Sequence, residues 1–199
     1  MAGPTDRFSQ AIAAIDRFNA ADPNRVTIAG QDIAKEVHYS QRMSHWLAAI
    51  APNESEELRL AARAQHIGRW TSPRADYPEG KQGYYRWRRA LAAFHAETAG
   101  NLIAEAGYDA GTVARVGQLL RKENLKADAE AQALEDAACL VFLENVFTDF
   151  SRRHDDAKVI DILRKTWVKM SPAGHAAAIA LADALPDDRR RLIEAALAA

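Results

Sequence analysis

The stretch Leu58-Arg59-Leu60-Ala61-Ala62-Arg63-Ala64-Gln65-His66-Ile67-Gly68-Arg69 decides how the chain is read. Leu58, Ala61, Ala62 and Gln65 recur at intervals of three and four, the spacing of one helical face. Asn53 and Glu56 stand ahead of it in capping-box spacing, and Gly68 closes it, as glycine commonly does at a helix C-terminus. The stretch is therefore predicted to be a helix whose last turn carries Gln65 and His66.

The same periodicity extends in both directions. Phe8, Ile12, Ile15 and Phe18 stripe a first helix that Asp22-Pro23-Asn24 stops, since proline lacks the donor a helix needs. A short loop through Gly30 leads to a second helix capped near Asp32, with Val37, Met43, Leu47 and Ile50 inside and Pro52 beyond its end. Arg69 to Gly83 forms the longest loop. Tyr84 to Ala106 is a long helix ended by Gly107, and Asp109 caps a fifth. Ala129 to Phe150 is the most apolar helix and is expected to be central. Asp156 to Met170, Pro172 to Leu185 and a helix from Asp187 complete the chain, Ser171-Pro172 giving a cap-then-proline start. Alternation at two residues is scarce. The fold class expected is all-α, one domain over 1–199, with packing helices over 156–199 and a candidate hinge at Ser151 to Asp156.

Composition narrows the function classes. An apolar fraction of 48% and a charged fraction of 27% are globular values. Basic and acidic residues nearly cancel, 26 against 27, so nucleic acid is a possible but not a favoured partner. The lone Cys139 forbids an internal disulfide and fits a reducing compartment. The longest apolar run, Ala137 to Leu143, is too short to span a bilayer. A cytoplasmic protein with no membrane partner is expected; the oligomeric state is left open. Gly-rich phosphate loops, zinc-type cysteine spacing and serine nucleophile motifs are absent.

The quoted stretch resembles the core of the HD-domain metal phosphohydrolases, in which a Leu- and Ala-rich helix ends in His-Asp-Ile-Gly-Lys. Aligning Ile67-Gly68-Arg69 with Ile-Gly-Lys puts Gln65 at the family's His and His66 at its Asp. His95 opens a segment similar to the next family helix, and Leu134-Glu135-Asp136 looks like the one supplying the last aspartate. The first family His has no clean match; Glu36, His38 and Tyr39 lie near it. With Asp76-Tyr77-Pro78, Gly83-Tyr84 and Arg86-Trp87-Arg88, the same segments resemble a narrower bacterial and fungal group, domain of unknown function 4202. The resemblance implies an HD-like helical bundle with its core over roughly 32–147.

The resemblance also sets expectations for the chemistry. His66, His95 and Asp136, with Glu36, would hold a divalent metal, Mn, Fe, Ni or Zn, which activates water. Arg69, Arg88 and Lys126 would neutralise phosphate, and Tyr77 or Tyr84 would orient the substrate, a phosphorylated, nucleotide-like small molecule. Each residue also has a structural reading: a histidine bonded to a carbonyl, an ion pair at Asp136 or Glu135, a solvated basic face. Glu135 is expected to point away from Asp136's partners. The alternatives to a hydrolase are an iron-dependent oxygenase on the same scaffold and a non-catalytic nucleotide- or RNA-binding module.

Overall fold

The computed structural model describes residues 6–147 and 152–197. It is all-α apart from one two-stranded hairpin. The helices are α1 (Arg7–Asn19), α2 (Lys35–Ile50), α3 (Glu56–Ala64), α4 (Gly80–Glu105), α5 (Ala110–Arg121), α6 (Ala129–Val141), α7 (Asp156–Trp167), α8 (Pro172–Asp183) and α9 (Asp187–Leu197). α6 runs on into a π-helical turn over Phe142–Val146. Thr148 to Phe150, the end of the long helix read from the sequence, and Ser151 of the candidate hinge lie outside the described residues. No helix among the described residues is long and apolar enough to cross a membrane.

The hairpin replaces the expected loop and shifts the start of α2. β1 (Arg25–Ile28) pairs antiparallel with β2 (Gln31–Ala34) around Ala29 and Gly30, both at positive φ, as a two-residue hairpin turn requires. Asp32 is therefore a strand residue, ion-paired to Arg25 at 2.9 Å, and not a helix cap. The cap comes from farther away: Glu36 N donates to Asp22 Oδ2 at 3.1 Å. Asp22 thus satisfies one of the orphan donors that begin any helix and fixes where the Glu36 side chain emerges.

α3 is the hub, touching α1, α2, α4, α5 and α6. Leu58, Leu60, Ala61, Ala62 and Ala64 are all buried, so nearly every side of this short helix faces protein. Its cap is Ser55, whose Oγ accepts from Leu58 N at 3.1 Å, rather than Asn53. Arg63 forks onto Asp16 at 2.7 and 2.6 Å and ties α3 to α1.

The core falls into two clusters. One gathers α1 to α5 with Ala131, Leu134, Ala137 and Val141 of α6; the other gathers Cys139, Leu140, Leu143 and Phe147 with α7, α8 and α9. α6 is central in this sense: opposite sides of it serve different clusters. A helix so placed has no solvated face broad enough to absorb its charged residues, and Glu135 and Asp136 are both buried.

Candidate functional site

The site begins where α3 stops. Ile67 N and Arg69 N close tight turns onto Ala64 O and His66 O, both at 3.0 Å. Gly68 sits at φ +66°, and a Cβ there would lie 2.8 Å from Phe94 and 2.9 Å from Phe18. Only glycine meets both the left-handed backbone and the close approach. The turn it permits sends His66 and Arg69 into a cavity of about 360 Å³ formed with α4 and the end of α5.

Two histidines meet there. The rings of His66 and His95 are 6.1 Å apart between centroids. His95 Nδ1 lies 2.7 Å from Ile67 O; a carbonyl only accepts, so Nδ1 carries the proton and Nε2 presents a lone pair. That Nε2 is buried without a hydrogen-bond partner among the described residues. His66 stacks on Tyr39 at 3.9 Å and 12°. Its Nδ1 is 3.5 Å from Glu36 Oε2, too poorly aligned for a hydrogen bond, so that oxygen too is buried and unsatisfied. Its Nε2 lies 3.5 Å from Arg69 Nη1.

Electrostatics keep both rings neutral. Burial, then the positive charge of Arg69 and Arg88, lowers His95 to about 4 despite its bond to Ile67 O. Burial, then Arg69, His95, Arg88 and Lys122, pushes His66 well below its ordinary 6.5. Glu36 moves the other way: burial raises it to about 7, with Asp22 adding to the rise and Arg69 opposing it.

Arg88 and Arg89 line the cavity with Arg121 and Lys122. Among the described residues, Arg69, Arg88 and Arg89 make no ion pair within 4 Å, though Arg69 feels Glu36 and Arg88 acts on Glu135 from farther off, whereas Arg121 pairs with Glu123 at 2.6 Å and Lys122 with Glu135. Arg69 lies over Trp87, 4.9 Å from its ring centre. Burial alone would raise Glu135, but the Lys122 ammonium outweighs it and the carboxyl sits below its ordinary value.

The structure thus brings together Glu36, His66, His95, Arg69 and Arg88 of the expected residues. Asp136 is held elsewhere. It accepts from Ser171 N at 2.9 Å, Ser171 Oγ at 2.5 Å and Gln132 Nε2 at 2.9 Å, joining α6 to the start of α8. Glu135, expected to point away, reaches the cavity rim through Lys122. Lys126 is exposed in the turn after α5 and does not line the cavity; Lys122, at φ +56° where α5 ends, does. Tyr77 stays in its own loop, its hydroxyl 3.4 Å from Ser72 Oγ. Tyr84 is exposed, one helical turn before Arg88. His38 contacts Asn145 at 3.4 Å rather than the histidine pair.

His66, His95 and Glu36 are the imidazole and carboxylate donors nearest one another in the site. His95 shows the second-contact pattern of a metal-binding imidazole, one nitrogen anchored to a carbonyl and the other bare. His66 and Glu36 supply a further nitrogen and oxygen. Among the described residues no three such side chains stand close enough to share an ion as placed.

Residues 9–193 match the model of a family described as Domain of unknown function (DUF4202). The chain belongs to that family. Among curated proteins and solved structures, none matches it. Membership in the family carries no activity with it, so the reading of the cavity rests on its geometry.

Proposed function

We propose that this cavity binds the phosphate of a nucleotide-like ester and that the chain hydrolyses it with the help of a divalent ion, on a scaffold akin to the HD-domain phosphohydrolases. The observation that supports this most is the set of three arginines, Arg69, Arg88 and Arg89, that make no ion pair among the described residues and stand beside two neutral histidines. Unpaired guanidinium groups around a concavity are complementary to a phosphoryl group, which they grip through paired N–H donors.

Arg88 and Arg89, on the stretch of α4 that lines the cavity, bind non-bridging oxygens. Arg69, backed by Trp87, neutralises the charge that grows as water attacks phosphorus and the alcohol leaves. Tyr39 fixes the His66 ring by stacking. His66, His95 and Glu36 would hold a divalent ion (Mn, Fe, Ni or Zn), which would supply acidity to a bound water near neutral pH. The pairing of Lys122 with Glu135 holds a further cation at the rim.

A second reading is supported by the Arg69 to His66 Nε2 contact of 3.5 Å. It closes the lone pair that an ion would use and leaves a metal-free binder of the same phosphorylated ligand. One experiment separates the two. The purified protein is loaded with each ion, or held in chelator, and mixed with a panel of phosphate esters. Release of inorganic phosphate that needs an ion and is lost in Arg88→Ala supports the hydrolase. Ester binding that is indifferent to chelator, with no release under any ion, replaces it with the binder. Failure of every ester to bind removes both.

A further inference from the structure

The cavity has room for little more than one nucleotide-sized group. At about 360 Å³ it lies at the bottom of the range for pockets that enclose small molecules, so anything larger anchored by its phosphate must continue outside. One side of α4 supplies the continuation. Ala92, Arg89 and Arg88 line the cavity; Tyr85 and Tyr84 come one turn earlier and Lys81 nearly one turn before them. These positions fall three or four apart and therefore share a helical side. The rise along the helix places Tyr85 about 4.5 Å, Tyr84 about 6 Å and Lys81 about 10 Å along the axis from Arg88.

The two tyrosines are unusual for a helix surface. Tyr84 is 45% and Tyr85 54% exposed, and their rings lie 5.8 Å apart. Tyr84 is backed at 6.0 Å by Trp87, which is buried and donates to Ser72 O at 2.9 Å. Lys81 Nζ stands 5.9 Å from the Tyr85 ring centre. The order outward is guanidinium, aromatic shelf, ammonium. A sugar phosphate would leave the shelf unused, and a mononucleotide would leave Lys81 unused.

We infer that the ligand is the phosphorylated end of a single-stranded oligonucleotide, its terminal phosphate in the cavity, its bases on Tyr84 and Tyr85 and its next phosphate near Lys81. A backbone-tracking cation row with exposed aromatics is how proteins hold single strands without reading sequence. The chain's near-zero net charge suits a grip on one end rather than a coat along the strand. The inference rests on the phosphate reading of the cavity.

The test compares oligoadenylate hexamers bearing a 5′-phosphate, a 3′-phosphate or neither, labelled at the opposite end and followed by fluorescence anisotropy. Adenosine 5′-monophosphate and ribose 5-phosphate are measured by calorimetry. One phosphorylated hexamer should bind about 10-fold or more tightly than the mononucleotide, and Tyr85→Ala should weaken it about 5- to 100-fold, the range of one base stack, while Tyr85→Trp retains it. Ribose 5-phosphate affinity should not respond to either Tyr85 variant. Equal affinity for hexamer and mononucleotide, or no effect of Tyr85→Ala, overturns the inference while leaving the cavity reading intact. Binding of hexamers regardless of their terminal phosphate overturns this end-specific form, and failure of every phosphorylated probe to bind, ribose 5-phosphate included, overturns the cavity reading with it.

Discussion

Glu36 and Asp136 are both buried carboxylates, 6% and 2% exposed, yet they live in opposite circumstances. Asp136 has Ser171 N, Ser171 Oγ and Gln132 Nε2 all donating to it. Glu36 has one oxygen with no donor, a histidine at 3.5 Å out of alignment, and a carboxyl held near 7 by burial. A buried carboxylate whose every lone pair is met is serving the fold. One left wanting costs stability, and such costs collect where a ligand, proton or ion supplies what is missing. The contrast teaches more about the two residues than their similar burial does.

The largest effect should come from Asp136→Ala. It strands two donors of Ser171 in the junction between α6 and α8, and hydrogen bonds to a charged group are the costly kind to lose, so destabilisation of about 4 kcal/mol is expected in urea unfolding. Gly174→Ala probes the same junction from the other side, because its Cβ would lie 2.8 Å from Asp136 Cγ. A loss below about 1 kcal/mol for Asp136→Ala would break the comparison at its structural end.

Glu36→Gln should act in the opposite direction. The unfolded chain ionises this residue near its ordinary 4.5 and the folded chain only near 7. Stability is therefore drained as pH rises through that interval, with the full penalty above 7 and none below 4.5. The variant should be more stable than the parent by about 3 kcal/mol at about pH 8 and equal to it at about pH 4. Ion-dependent phosphate release should fall in the same variant. His95 supplies the opposite limb: its pKa of about 4, against 6.5 unfolded, removes stability as pH falls between those values. Glu36→Gln should leave that acid limb in place, which denaturation from about pH 3.5 to about pH 9 will show.

The difference between these two carboxylates was only half legible in the sequence. The resemblance picked out Asp136 on the most apolar helix, but neither it nor periodicity says which neighbour covers each side of that helix. α6 lies between two clusters, so Glu135 and Asp136, about 100° apart around the helix, are buried against different partners. Glu36, His66 and His95 came through a resemblance tied to Ile67-Gly68-Arg69, and the left-handed turn at Gly68 explains why that segment could be read: one backbone conformation fixes where both His66 and Arg69 go. The caps at Asp109 and Ser171 were readable because each bonds within three residues. The cap of α2 was not, since Asp22 acts across fourteen residues. The hairpin went unread because Arg25-Val26-Thr27-Ile28, though alternating, is only one short and mostly exposed run.

Glu135 has traits of both carboxylates and offers the finest test. It is buried and paired like Asp136, yet its partner Lys122 lines the cavity, as does His66 beside Glu36. Lys122→Ala should strand a buried carboxylate and cost about 2 kcal/mol, moderated because the lysine side chain is 23% exposed. The same change should weaken phosphate-ester binding several-fold. Lys126→Ala is the paired control. The sequence placed Lys126 among the phosphate-binding cations, but it stands four residues on, exposed, in the turn beyond the cavity. Its removal should alter stability by no more than about 0.5 kcal/mol and leave ester affinity unchanged. If Lys126→Ala weakens the ester as much as Lys122→Ala does, the anion site is a diffuse basic surface, and the distinction between a carboxylate that holds the fold and one that holds a binding cation fails at Glu135.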